Sequence, residues 1–155
     1  MQRIAHFVHV QAPINVVFAF VADFHNLPRL QSEFKTVRHV AGPPQGLHAQ
    51  IEAHGSFRGL PLTTRMTIVG FEPPRALVSD TTGGIHSRST WSFREEQPPG
   101  ADRPLVRVTL VIHYEVRLPG LSLLGGLVHH DVDRMTSDAL RRLKVLMERA
   151  GDAPA

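Results

Sequence analysis

Residues 9–30 read HVQAPINVVFAFVADFHNLPRL, an alternating segment that turns through Ala12-Pro13 directly into a dense apolar one. Before the corner, Ile4, His6, Val8 and Val10 fall on one face of an extended chain and Ala5, Phe7 and His9 on the other, which predicts a strand. Pro13 suits a first helical turn, where its missing N–H costs nothing. Val16, Val17, Phe18, Phe20 and Val21 then predict a short helix that is apolar almost all round. Asp23, His25, Asn26 and Pro28 break it, and NLPRL predicts one further turn. A strand, a tight corner and short apolar helices need a surface to pack on, and the rest of the chain has to supply it.

Between residues 34 and 118 no helical period emerges. Residues 34–40 predict a strand ended by GPPQG. Leu47, Ala49, Ile51 and Ala53 alternate with His48, Gln50, Glu52 and His54, and Leu62, Thr64, Met66 and Ile68 repeat the pattern. FEPPR makes a corner, residues 76–80 a short strand, and TTGG a turn with two glycines free to take positive φ. Residues 86–95 predict a strand with Trp91 and Phe93 on one face. After the longest loop, QPPGADRP, comes the clearest alternation: Val106, Val108, Leu110, Ile112, Tyr114 and Val116 against Arg107, Thr109, His113, Glu115 and Arg117. Pro119-Gly120 ends it. Leu124, Val128, Val132, Met135, Ala139, Leu143 and Leu146 then recur at three- and four-residue spacings, one apolar helical stripe with Asp133, Arg134, Asp138, Arg141, Lys144 and Glu148 opposite. A helix over residues 122–149 would be roughly 40 Å long at 1.5 Å per residue.

Seven alternating strands joined by short corners make an antiparallel sheet with one apolar face. One long helix with one apolar stripe is the only late element able to cover that face. A helix about 10 Å wide does not fill the concavity of a strongly curled seven-stranded sheet. The expected fold is therefore α+β: a curved antiparallel seven-stranded sheet wrapped around a long C-terminal helix, with two short helices after the first strand closing one end of a cavity. Residues 1–150 are expected to form a single ligand-binding domain and residues 151–155 a disordered tail.

The chain has 155 residues, long enough to bury a core without cross-links. It has no cysteine, which excludes disulfides, thiolate catalysis and Cys-ligated zinc. No apolar run approaches the roughly 20 residues of a membrane span, and the N-terminus alternates without the apolar centre of a secretion signal. A cytoplasmic protein with no integral membrane association is expected. The 17 Lys and Arg residues stand singly apart from Arg141-Arg142. Nucleic-acid binders gather such charge into a stripe, so nucleic acid is not an expected partner. No Gly-x-Ser-x-Gly elbow and no Gly-rich phosphate loop occurs, and no cofactor is expected.

VHVQAPINVVFAFVADFHNLPRL at the start, IVGFEPPRALV and GGIHSRSTWSF in the middle, then LVRVTLVIHYEVRLPG and the closing LGGL and ALRRLKVLME together carry a resemblance. Over roughly residues 3–149 the chain resembles the START-like superfamily, the SRPBCC group with the birch-pollen-allergen fold and the polyketide cyclases and dehydrases. The resemblance implies a helix-grip fold with an apolar ligand held between sheet and long helix. Members include lipid and sterol carriers, aromatase/cyclases, coenzyme-Q-binding proteins and plant hormone receptors, so it implies a hydrophobic small-molecule partner without naming one. Ser32–Phe34 lies where aromatic polyketide cyclases of this fold can have a cavity tyrosine. Phe34 has no hydroxyl, which counts against a mechanism built on that group. Arg65 lies opposite in parity to Leu62, Met66 and Ile68 and is expected to face solvent.

The expected ligand-cavity residues are Phe34, Met66, Trp91, Tyr114, Val128, Asp131 and Met135. Trp91 and Tyr114 share the parity of the apolar faces and bring polar handles to them, while Met66 and Met135 are adaptable packing groups. Core packing explains these four equally well. Asp131, beside the apolar stripe of the helix, reaches either the cavity rim or a solvated flank. His6 and Tyr114 are the candidate catalytic residues, His6 for its near-neutral titration, although no carboxylate is obviously paired with it. His129 and Asp133 stand one helical turn apart, but the His-rich residues 48–54 face outward and no metal site is expected. Three functions follow: binding of a lipid, isoprenoid, quinone or polycyclic aromatic; a cyclase/dehydratase acting on a ligand in the same cavity; and a protein-interaction module. Phe7, Val69 and Val111 on the outer sheet face leave both monomer and homodimer open.

Overall fold

The computed structural model describes residues 2–83, 85–100, 102–116 and 125–152. Seven strands form one antiparallel sheet: β1 (Gln2–Val10), β2 (Phe34–Ala41), β3 (Gln50–Phe57), β4 (Leu60–Glu72), β5 (Ala76–Thr82), β6 (Ile85–Glu96) and β7 (Leu105–Val116). Their order is β1-β7-β6-β5-β4-β3-β2. Because β1 and β2 occupy opposite edges, the connection between them has to cross six strand spacings, roughly 29 Å at about 4.8 Å each. Helix α1 (Ile14–Ala22), a 3-10 turn (Phe24–Asn26) and α2 (Leu27–Leu30) make that crossing. Helix α3 (Gly125–Asp152) lies over the concave face. This is the helix-grip architecture.

Alternation selects the concave face. Val106, Val108, Leu110, Ile112 and Tyr114 of β7 all point inward and are buried, as are Trp91 and Phe93 of β6. The apolar stripe of α3 supplies Val128, Val132, Ala139, Leu140, Leu143 and Met147 from above. Phe18 of α1 wedges between Phe71 and Phe93, ring centroids 5.5 and 5.3 Å away. Lys144 ties α3 to β1 by donating to the His9 carbonyl at 2.7 Å.

Two local irregularities place residues that matter later. At Ile68–Gly70 a bulge shifts the β4–β5 register. A side chain at Gly70 would meet Val78 Cγ2 at 2.9 Å. The shift turns Phe71 inward beside Phe18, although simple alternation assigns it to the outer face. The β3–β4 hairpin turns on Arg58 (φ 51) and Gly59 (φ 80), the two positive φ angles of a type I′ turn.

Several boundaries differ from expectation. The strand expected from Leu47 begins at Gln50, because Gly46 and His48 take φ of 85 and 73 and hold the chain in a turn. Helix α3 runs to Asp152, two residues into the expected tail; Pro119-Gly120, Leu124 and residues 153–155 lie outside the described residues. Arg65 is outward, with its side chain 56% exposed. No described helix is long and apolar enough to cross a membrane.

Candidate functional site

A cavity of about 80 Å³ lies between α3 and the sheet. It exists because the inward positions at this end of the sheet carry small side chains. Thr81 pairs with Ser87 and Ser79 with Ser89 across β5–β6, and Met66 pairs with Thr81 across β4–β5. Where β6 and β7 elsewhere present Phe93, Val108 and Leu110, these strands present hydroxyls that stop short of α3. Phe34, Phe57, Leu62, Ile85 and Ile112 complete the sheet side, and Val132, Met135 and Thr136 the helix side.

Two buried side-chain polar atoms have no hydrogen-bond partner among the described residues, Glu33 Oε1 and Thr64 Oγ1, and both residues line this cavity. Buried polar groups are nearly always paired, so these two atoms stand out among the residues that line the cavity. Glu33 sits between α2 and β2, where Gly55 admits it: the Glu33 carbonyl accepts from the Ser56 N–H at 2.9 Å, and a Cβ at Gly55 would collide with that carbonyl. Burial holds the Glu33 carboxyl above the ordinary carboxylate range, against the opposing pull of its own backbone and of the Arg142 and Arg134 charges.

The cavity shares Glu33, Phe57 and Met135 with an open vestibule of about 550 Å³. The vestibule is ringed by charge: Arg58, Asp131, Arg134, Asp138 and Arg142. Asp131 is buried, accepts from Arg58 Nε at 2.6 Å and lies 3.6 Å from an Arg134 nitrogen. This ion pair fastens the β3–β4 hairpin tip to α3 across the cavity mouth.

Of the expected cavity residues, Phe34, Met66, Tyr114 and Met135 stand on the cavity wall and Asp131 on the vestibule wall. Trp91 and Val128 do not. Trp91 pairs with Leu77 and Leu110 and stacks on Phe93 at 6.5 Å, and Val128 is fully buried in the same core. Parity assigns a residue to a face but leaves its distance along the strand unspecified, and Trp91 falls at the packed end; Val128 lies one helical turn from the cavity-lining Val132 but is taken up in core packing. The Tyr114 hydroxyl lies 2.6 Å from His129 Nδ1, and burial pushes the phenol upward. His6, absent from the cavity wall, does have a carboxylate partner: its Nε2 is 2.7 Å from Asp133 Oδ1 on α3. His129 and Asp133 thus each engage a sheet residue, and no group of three or more metal-ligating side chains converges among the described residues. Glu33, Arg58 and Thr64 were not singled out by sequence reasoning. The Arg58-Gly59 dipeptide between two alternating runs is the one local signal for any of them.

The fold recurs in known structures. TTHA0849, a protein of Thermus thermophilus, superposes with a TM-score of 0.75 at 19% identity, covering 96% of this chain and 99% of its own. The Zhui aromatase/cyclase of Streptomyces sp. R1128 gives 0.68 at 16% identity, covering 96% and 94%. A START superfamily protein of Mycobacterium smegmatis gives 0.63 at 17%, covering 93% and 98%. No curated protein matches the sequence. At these identities the structural likenesses establish the fold. Sequence goes further: the family described as polyketide cyclase/dehydrase and lipid transport matches residues 1–148, and the chain belongs to that family.

Proposed function

We propose that the protein binds a hydrophobic small molecule carrying oxygen substituents, with its apolar part in the cavity under α3 and its more polar end in the vestibule. The observation that carries this reading is that both unpartnered buried polar atoms, Glu33 Oε1 and Thr64 Oγ1, belong to residues lining one largely apolar cavity. Pockets for drug-sized ligands measure roughly 300–1,000 Å³. A space of about 80 Å³ therefore takes a slim acyl or prenyl terminus or a single ring, with the bulk of the molecule in the 550 Å³ vestibule. A polycyclic aromatic fits only if Met135 or Phe57, which stand in both spaces, moves aside. Native mass spectrometry of the freshly purified protein, with organic extraction of anything released, tests the reading. A stoichiometric oxygen-bearing apolar companion, or uptake of such probes by the apo protein, is the expected result. An apo protein that takes up no hydrophobic probe overturns it.

A second reading is a cyclase/dehydratase, and Glu33 favours it. A carboxyl whose pKa is raised by burial, on a residue shared by cavity and vestibule, is placed to give a proton to a ligand oxygen and take one back. The likeness to an aromatase/cyclase points the same way. Under this reading Glu33→Gln keeps ligand binding and loses turnover of a poly-β-ketone substrate; turnover persisting in that variant removes Glu33 from the chemistry.

A further inference from the structure

The vestibule carries three guanidinium groups, Arg58, Arg134 and Arg142, and two carboxylates besides Glu33. The two carboxylates are already committed. Asp131 is shared between Arg58 and Arg134, at 2.6 and 3.6 Å. Asp138 takes Arg141, one residue from the vestibule wall, at 3.0 Å. Arg142 has no ion-pair partner among the described residues and projects from α3 at the rim of the same space. Glu33, the remaining acid, has its pKa raised by burial and lowered in part by the Arg142 and Arg134 charges. With both aspartates engaged, Arg142 is the guanidinium left over at the mouth of a cavity whose interior is apolar with scattered hydroxyls.

We propose that the vestibule binds the anionic headgroup, a carboxylate or phosphate monoester, of an amphiphile whose tail occupies the cavity, with Arg142 as the principal counter-ion. The inference rests on the cavity reading above and names its ligand class. Guanidinium suits such groups because its planar fork donates two parallel hydrogen bonds to paired oxygens. Arg134, only loosely held by Asp131, is the second donor within the same wall. A cationic headgroup would meet three guanidiniums, and the one carboxyl not already paired, Glu33, is one whose charge burial disfavours. A neutral one would gain nothing from Arg142.

Isothermal titration of octanoate, octyl phosphate, octanol and inorganic phosphate into the purified protein at low salt tests this. Octanoate and octyl phosphate should bind on the order of fivefold tighter than octanol, as expected for a partly exposed ion pair worth about 1 kcal/mol. The preference should vanish in Arg142→Gln, leave octanol affinity unchanged, and shrink in about 0.5 M salt. Equal binding of octanoate and octanol overturns the headgroup site and leaves the cavity reading standing. Failure of all four probes overturns both. Inorganic phosphate binding as tightly as octyl phosphate overturns the amphiphile in favour of a free-anion site, and a preference that survives Arg142→Gln removes that residue from it.

Discussion

Replacing either member of the Arg58–Asp131 pair breaks the same 2.6 Å contact, yet the two substitutions should differ in cost. The Asp131 side chain is 8% exposed, whereas that of Arg58 is 39% exposed. Arg58→Ala strands a buried carboxylate with only Arg134 at 3.6 Å to offset it. Uncompensated buried charges cost roughly 3–5 kcal/mol; with Arg134 still near, about 2–3 kcal/mol is expected. Asp131→Asn leaves a guanidinium that can turn into water, and an amide oxygen that still accepts a hydrogen bond, so about 1 kcal/mol is expected. Alanine at position 58 keeps a Cβ in the left-handed region, φ 51, so the backbone strain is the same before and after and the comparison isolates the side chain. In the double variant the buried charge is gone, and its cost should fall well below the sum of the singles. Equilibrium urea unfolding gives these values directly. Thermal midpoints should drop roughly 4–12 °C for Arg58→Ala, at about 2–4 °C per kcal/mol for a chain of this size. Asp131→Asn costing as much as Arg58→Ala, or strict additivity in the double variant, would refute the assignment of the buried charge to the aspartate.

Gly55→Ala forces a Cβ into the Glu33 carbonyl, and overpacking of this kind costs about 1–3 kcal/mol; urea unfolding should show the loss, together with weakened uptake of a cavity probe. Thr64→Val removes an unpartnered buried hydroxyl at nearly constant volume and should stabilise the empty protein by about 1 kcal/mol, read by the same method, while weakening binding of oxygen-bearing ligands relative to hydrocarbons. Glu33 has a folded-state value raised above its unfolded one by burial, so its contribution is fully present at low pH and is lost as pH rises through the folded value. Glu33→Gln should therefore match the parent in stability near pH 4 and gain on it toward pH 7. A difference that is flat with pH would show that Glu33 is not desolvated.

The strands and the long helix were legible because their signals are local. Parity alone put Tyr114 and Met66 on the concave face, and the three-and-four spacing put Met135 on the sheet side of α3. Phe71 escaped because a bulge reverses parity, and nothing near it in sequence besides Gly70 announces one. Glu33 escaped because its burial depends on β3, a later strand that meets it through Ser56. Trp91 lies on the concave face but farther along the sheet than the cavity, and Val128 lies on the apolar stripe of α3 one turn before the cavity-lining Val132. The distance that separates core from cavity is set by cross-strand register and by the lean of α3, and neither has a one-residue signature.

The concave face is thus divided lengthwise into a filled half and a hollow half. The filled half, where Phe18, Phe93, Val106, Val108 and Leu110 meet α3, carries most of the apolar burial. The hollow half is walled by Thr64, Met66, Thr81, Ser87 and Ser89, residues whose enlargement or exchange alters the space rather than the core. Variation there can redraw what the pocket accepts while the other half goes on holding the chain together. One sheet thereby separates the positions free to drift toward new ligands from those that folding holds in place.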